Sequence, residues 1–537
     1  MVQLLNVRVF STKNSTWVNN PDMTTYTFRN SDTIGNLDAE TDNFLSECFF
    51  ESDVYKTLIK FDDDSDFSKR IIIGRTGSGK TALLKRISEE KSIKKHDVIE
   101  AESTVFEHIK NNVFISQLME NNVDLRVFYK SLWQHVLLVK VIDLLYPSNR
   151  SFFDSINSFG SASKKKYNLE YAKEYVESYR NNFFNDDIVA EITNNMQKEL
   201  STNSSIPSFF KIGTKSTSEE SVKLQRATSQ YVSTNLLRKQ KELIKLIREE
   251  HSDERQLRIV ISIDDLDKSW LSSSTIRHDF INALLDAFKE LIDIKSVKIL
   301  ISIRTDIIMG IYRNNLRQEE KDKSLILPIS WKECDIRTLL DYRINYLIKN
   351  HYSGKENVNF SDIFNFKVAG DTVDDYIISR TMLRPRDAID FVNLSLSEAD
   401  GKTTMNEKFV LLAEEKFYHS RKQAMIKEWK SLYSQIEDYL DSISFIHNKV
   451  FRISELGTVK CDIQNHLLSK SKNVESDLHD KITFDFEELI KVWFTTGVVG
   501  IKKSQDIVIY SSFEKPTLDI TDLGKEFLIH PLFYRYD

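Results

Sequence analysis

The sequence predicts an α/β protein whose mostly parallel sheet is covered by helices on both faces. Three observations carry this expectation. Short β-branched runs alternate with longer stretches of helical periodicity. One of those runs ends in a glycine-rich loop that opens straight into a helix. Glycine (14) and proline (7) are scarce among 537 residues, so few breakers interrupt a chain rich in helix-forming Leu, Ile, Lys and Glu.

Residues 1–32 are polar and mixed, with β-like pieces such as Leu4–Phe10. Residues 33–69 are acidic, carry Phe44, Phe49, Phe50 and Tyr55, and read as a helix leading to the first buried strand. That strand is Arg70-Ile71-Ile72-Ile73, ended by a glycine. The helix after the loop puts Leu83, Leu84 and Ile87 on one face. Residues 96–101 form a second strand candidate. From about 105 to 256 the signal is helical, with Phe128, Trp133, Val136 and Leu137, and later Leu236, Leu237, Leu243, Leu246 and Ile247, at helical spacing. Within it, Ser201–Ser221 reads as a loop and Lys164–Lys166 as a short solvated basic run. Strand character returns at Arg258–Ile263 and Val297–Ile303, separated by a helix over 276–293. Leu325–Ile329 is a fifth strand, and Pro328 marks it as an end or an edge. After 333 the pattern turns helical through about 430. The tail mixes helices with β-rich pieces.

The bulk properties exclude several classes. Hydrophobic residues (41%) and charged residues (29%) stand at ordinary values for a soluble folded chain. A formal charge of −6 argues against a protein that coats nucleic acid by charge alone. Cys48, Cys334 and Cys461 are odd in number and have no CxxC spacing, which fits a reducing cytoplasm better than a disulfide framework or a cysteine zinc site. The eleven histidines show no HExxH pattern, and His530 beside a proline reads as packed rather than ligating. The N-terminus lacks a signal-peptide pattern, and no apolar run approaches the ~18 residues of a membrane span.

Four motifs carry chemistry. The first is Gly74-Arg75-Thr76-Gly77-Ser78-Gly79-Lys80-Thr81, continued by Ala82, which is the G-x-x-x-x-G-K-T pattern of a P-loop NTPase. Its glycines let successive backbone N–H groups face a phosphate, and the helix N-terminus adds a favourable field. Lys80 is placed to reach the β- and γ-phosphates of ATP, and the Thr81 hydroxyl to bind Mg²⁺. The second motif is the apolar strand ending in Asp264-Asp265, where Asp264 is the metal carboxylate candidate and Asp265 the residue to polarise the attacking water. The third is Ser302-Ile303-Arg304-Thr305-Asp306. If its strand lies between the other two, Arg304 sits beside the γ-phosphate as a sensor. The fourth is Leu383-Arg384-Pro385-Arg386-Asp387, a helix start with two arginines able to face a nucleotide.

In this order the motifs resemble the bacterial P-loop ATPases related to the KAP, STAND and origin-recognition groups, and in particular a FunZ-like set found in phage-related and defence-linked settings. Ile34-Gly35-Asn36-Leu37-Asp38-Ala39-Glu40, Ile263–Asp267 with Trp270, and Phe527-Leu528-Ile529-His530-Pro531 also carry the likeness. The resemblance implies a helical lid with Pro385 and Arg386 in the nucleotide-sensing position, and a C-terminal winged-helix-like domain. It further implies that nucleotide state drives assembly or a conformational switch, coupled to nucleic acid or to a nuclease partner. The expected organisation is an N-terminal segment (1–32), two halves of an ATPase core (33–104 and 257–345) around a helical insertion (105–256), a helical lid (346–430) and the winged-helix-like domain (431–537).

The tail can be read independently. Phe484–Thr496 is a helix with Phe486, Leu489, Ile490 and Trp493 apolar, stopped by Gly497. Val498–Ile501 and Ile507–Tyr510 flank a polar turn, as a wing would. Lys502 and Lys503 favour phosphate contact, while acidic residues at 485, 487 and 488 oppose it, so DNA and protein roles stay open. The functional expectation is an ATP-binding and ATP-hydrolysing switch acting through a homo-oligomer or an effector protein such as a nuclease. The alternatives are an ATP-controlled DNA-binding protein and a nucleotide sensor with little hydrolysis. Nucleic acid is compatible with the sequence but not required by it, and no membrane is implied.

Overall fold

A computed structural model of the chain describes residues 27–101, 105–158, 169–180, 183–184, 188–202, 218–251, 255–264, 266, 274–313, 319–352, 357–470, 477–505 and 507–534. Leu4–Phe10, Lys164–Lys166, Asp265, Asp267, Trp270 and most of the Ser201–Ser221 loop lie outside them. The main sheet has five parallel strands: β1 (Ile71–Gly74), β2 (Lys95–Glu100), β3 (Ile259–Asp264), β4 (Val297–Arg304) and β5 (Ile326–Pro328), in the order β2-β3-β4-β1-β5. The strand bearing Arg304 therefore does lie between the loop strand and the Asp264 strand. Pro328 is at the edge, as its missing N–H requires.

Alternation along the strands assigns the two faces. Ile71, Ile73, Ile261, Ile299 and Ile301 point into one core with the insertion helices and with the helix Ser274–Leu291. Ile72, Val260 and Leu300 point into the other, with Leu83, Leu84 and Ile87 of the helix Lys80–Ser88. Both faces are covered, which is why the strands read as continuous apolar runs. The described elements of the insertion are all helices, with Arg126–Leu145 its most buried one.

Residues 33–69 differ from expectation. Instead of one long helix they form two short ones, Asp53–Leu58 and Asp64–Ser68, each started by a side-chain cap (Ser52, Asp63). Buried Lys298 on β4 ties both to the sheet by donating to the carbonyls of Leu58 (2.8 Å), Lys60 (3.2 Å) and Asp66 (3.2 Å). Burial first, and the Arg70 charge second, push its ammonium down from 10.5 to about 7. The unfolded chain keeps that proton to higher pH than the folded chain does. Stability is thus expected to rise as pH increases above about 7, and to stop rising once the unfolded lysine also loses its proton. In urea denaturation across pH, Lys298→Met should flatten that rise, whatever it costs overall. Parallel pH profiles for wild type and variant would contradict this.

The region after the sheet also departs from the expected boundaries. The helix Glu333–His351 runs without a break through residues 345 and 346, so the lid begins at 333. The reason is packing: Ile336, Leu340, Ile344 and Leu347 belong to the lid core, not to the sheet. A short hairpin, β6 (Lys367–Val368) and β7 (Asp371–Thr372), precedes the helices Pro385–Glu398 and Glu407–Trp429. The tail adds a four-stranded antiparallel sheet, β8 (Val450–Phe451), β9 (Val499–Lys502), β10 (Val508–Ile509) and β11 (Phe527–Ile529), in the order β10-β9-β11-β8. Three helices lead into it: Val459–Lys470, Asp477–Phe484 and Phe486–Thr496. Lid and tail share one apolar core, in which Trp429, Phe417, Trp493 and Phe527 are all buried, so residue 430 does not divide two cores.

Candidate nucleotide site

The loop Gly74–Lys80 joins the C-terminal end of β1 to the helix Lys80–Ser88. Gly77 and Gly79 hold φ of 79° and 93°, the left-handed region that a side chain disfavours. Gly79 is the helix N-cap, so the first amides of that helix open into the loop. The Lys80 ammonium donates to the carbonyls of Gly74 and Arg75, both at 3.2 Å. These bonds turn it back over the loop.

The loop forms one wall of a cavity of about 260 Å³. Lys80, Thr81 and Ala82 line it together with Asp264 and Arg386. Because β4 separates β3 from β1, Asp264 stands two strand spacings from the loop, about 10 Å. That leaves room for a terminal phosphate and its metal. The donor set is one carboxylate and one hydroxyl, which suits Mg²⁺, a hard ion that binds through one or two carboxylates plus substrate phosphates. Asp265 lies outside the described residues. Leu266, just beyond it, is buried.

Arg386 is on the cavity wall. It sits in the first turn of the helix Pro385–Glu398, with Pro385 at N1. Its N–H donates to Gly77 O at 3.3 Å and its Nε to Leu37 O at 3.0 Å. The lid is thereby joined both to the loop and to the N-terminal segment.

Arg304 is placed differently from the sensor role drawn from its position. In register it stands beside Gly74. Its guanidinium, however, makes two 2.8 Å bonds to the Asp306 carboxylate and a 3.0 Å bond to Glu428 O. It is not among the residues that line the cavity. The spacing Arg-x-Asp at a strand end is what turns the side chain back on itself.

Three features of the site escaped the sequence reading. The first is Trp331, between β5 and the lid, whose Nε1 donates to Ser78 O at 2.9 Å and whose ring lies 5.8 Å from that of Phe50. The second is a buried ion pair, Arg343 with Asp42 at 2.6 Å, that pins the segment Ile34–Leu45 over the cavity. Arg343 also donates to Ile34 O (2.7 Å), and Asp42 accepts from the Asn36 and Phe44 amides (both 3.1 Å). Gly35, at φ 120°, makes the approach feasible, since a Cβ there would sit 2.1 Å from Arg343 Nη1. Leu37, Phe49 and Phe50 of this N-terminal region join Trp331 and Ile389 as the apolar walls.

The third is Glu428, near the end of the lid helix Glu407–Trp429. One carboxylate oxygen accepts from the Thr76 amide (3.3 Å) and lies 3.6 Å from Arg75 Nε. The other faces Arg384 Nη1 (3.3 Å) and Arg421 Nη2 (3.5 Å). Burial raises its pKa, but the charges of Arg384, Arg75, Arg421 and Arg304 outweigh burial and hold it well below the usual carboxylate range. Arg384, on which the nucleotide-facing expectation also rested, is thus turned to Glu428 and to Thr76 O (3.3 Å). A signal for Glu428 existed only in hindsight, as an acid one residue from a buried tryptophan.

His530 is packed, as expected, against Tyr510 and Phe533, with Nδ1 accepting the Leu532 amide at 3.2 Å. The cysteines form no disulfide, and no described helix is long and apolar enough to cross a membrane. Among the described residues no cluster of three or more His, Cys, Asp or Glu gathers as a metal site.

Comparison with known families agrees with this geometry. The model of the KAP family P-loop domain matches residues 52–327, just over half the chain. The model of the FunZ-associated C-terminal helical domain matches residues 334–426, beginning where the lid helix Glu333–His351 begins. No curated protein and no solved structure matches.

Proposed function

Since the chain belongs to the KAP family of P-loop NTPases, we propose that it is a Mg²⁺-dependent ATPase that works as a conformational switch. The observation that carries this is one cavity uniting Lys80 and Thr81 of the loop, Asp264 two strands away and Arg386 of the lid. The loop amides and Lys80 bind the phosphates, and Thr81 and Asp264 hold the metal. A Mg²⁺ ion held by Thr81 and Asp264 would supply positive charge against the phosphates. The base slots between Leu37, Phe50, Trp331 and Ile389. Water activation falls to Asp265, and the lid reads nucleotide state through Arg386. An arginine from a second copy of the chain completes the charge stabilisation, so hydrolysis depends on assembly.

The tail supports a protein-directed output. Three helices followed by the β9–β10 hairpin are what supports the winged-helix-like reading of the tail. Yet the helix before the hairpin, Phe486–Thr496, is largely buried and starts with Asp485, Glu487 and Glu488, a poor surface for DNA phosphates. We therefore favour an effector protein in the cytoplasm over nucleic acid as the partner.

Phosphate release from a homogeneous sample tests the reading. ATP should be turned over, chelation of Mg²⁺ should stop it, and GTP should compete poorly. Turnover that persists in excess chelator, or no nucleotide binding at all, would overturn it. A steep inverse dependence of DNA binding on salt would restore the DNA reading.

A further inference from the structure

We infer that Glu428 is a positioning residue of the nucleotide site, fixing the first turn of the phosphate loop and joining it to the lid and, through Arg75, to the helix that precedes the C-terminal strand β9. The inference rests on the ATPase reading above and adds the route by which the loop is held.

The two carboxylate oxygens divide the work. Oε1 serves the loop, through the Thr76 amide and Arg75. Oε2 serves the lid, through Arg384 and Arg421, and Arg421 in turn holds Asp387 at 2.9 Å. The residue's own carbonyl holds Arg304 from β4. One residue thus ties its own lid helix to the start of a second, Pro385–Glu398, and to the chain just beyond β1 and at the end of β4.

Arg75 carries the connection further. Its Nη2 donates to Thr496 O at 2.9 Å, and its guanidinium lies over the Trp429 ring at 5.5 Å. Thr496 ends the helix Phe486–Thr496, so the acceptor is a terminal carbonyl at the negative end of the helix. A second residue of the cradle therefore touches the helix that leads into β9. The distance in sequence is 421 residues.

Such a cluster affects nucleotide chemistry because it shares its charges with the site. The Thr76 amide and the Arg75 guanidinium belong to the loop that receives the phosphates. An ionised carboxylate behind the loop balances the arginines and lowers the local positive potential. A triphosphate adds more negative charge than a diphosphate, so it is more sensitive to that balance.

Glu428→Gln keeps the shape and an acceptor for the Thr76 amide but removes the charge. KM for ATP should fall roughly fivefold to tenfold, with a larger gain in affinity for ATP than for ADP. Turnover at saturation should also fall, because the loop is no longer held against the lid. Glu428→Asp keeps the charge but is one methylene too short to serve loop and lid together. It should lower kcat with KM little changed. Glu428→Gln combined with Arg75→Gln removes one charge of each sign and should bring KM back toward wild type.

A merely structural residue would lower the thermal midpoint without splitting KM from kcat. The inference is overturned if Glu428→Gln leaves both constants as in wild type, or lowers kcat and raises KM together. If Glu428→Gln fails to fold, the kcat-specific loss in Glu428→Asp decides. Wild-type protein that binds no nucleotide would sink the ATPase reading itself. Wild-type protein that binds but turns over too slowly to measure is tested by the ATP-to-ADP affinity ratio, which Glu428→Gln must raise.

Discussion

Lys80→Ala is expected to lower ATP turnover by roughly 10²–10³-fold, the usual scale for deleting one preorganised donor to a developing charge. Lys80 opens the helix Lys80–Ser88 and points back along the loop, with its ammonium on the Gly74 and Arg75 carbonyls. A phosphate chain would add a charged acceptor to these two carbonyls, and hydrogen bonds to a charged acceptor are the stronger kind. Alanine is a better helix former than lysine by only a few tenths of a kcal/mol, so the fold should survive the change. The thermal midpoint then separates a lost function from a lost structure. Asp264→Asn attacks the same chemistry from the other side of the cavity. It should abolish the response to added Mg²⁺ while leaving metal-free nucleotide binding in place. Equal turnover in wild type and Lys80→Ala would remove the enzymatic reading altogether. Loss of Mg²⁺ dependence in Lys80→Ala with retention in Asp264→Asn would mean that Asp264 does not hold the metal.

The parts of this site that could be read from sequence are those with a local grammar. Ile71–Gly74, the glycine loop and the amphipathic start of the next helix are contiguous, and each dictates the conformation of its neighbour. Pro328 announced an edge strand because proline cannot donate to a ladder. Pro385 placed a helix start for a similar reason. What stayed hidden is held by contacts across hundreds of residues. Glu428 meets Thr76 at a separation of 352, and Arg343 meets Asp42 at 301. In sequence, Glu428 is an acid in Ile-Lys-Glu-Trp-Lys, indistinguishable from a solvated helix face. Arg304 shows the opposite case. Its register beside Gly74 is as expected, but Asp306, two residues on, claims the guanidinium that the position made available. The core entered by the helix Glu333–His351 was hidden for a similar reason, since periodicity gives a helix its inner face but not the identity of the core that face enters.

Asp42→Ala is expected to cost about 3–5 kcal/mol of stability, the range for breaking a buried ion pair and leaving one charge uncompensated. Asp42 and Arg343 are both almost fully buried, at 4% and 3% exposure, so water cannot readily replace the lost partner. The substitution also strips two acceptor contacts from the Asn36 and Phe44 amides. A double variant, Asp42→Ala with Arg343→Met, should recover part of the loss. The charge is then gone and an apolar side chain of similar length fills the space. Denaturant unfolding of both variants measures the difference. Function should follow structure here. The pair pins Ile34–Leu45, and Leu37 of that segment lies on the cavity wall and receives the Arg386 bond through its carbonyl. Freed from its anchor, the segment no longer presents that wall, so nucleotide affinity should fall even at temperatures where the single variant remains folded. The double variant should regain stability before it regains affinity. Methionine fills the volume but donates nothing to Ile34 O, the bond that sets the segment's register. If affinity and stability instead return together, the ion pair acts only through global stability, and the anchoring role assigned to Arg343 is wrong.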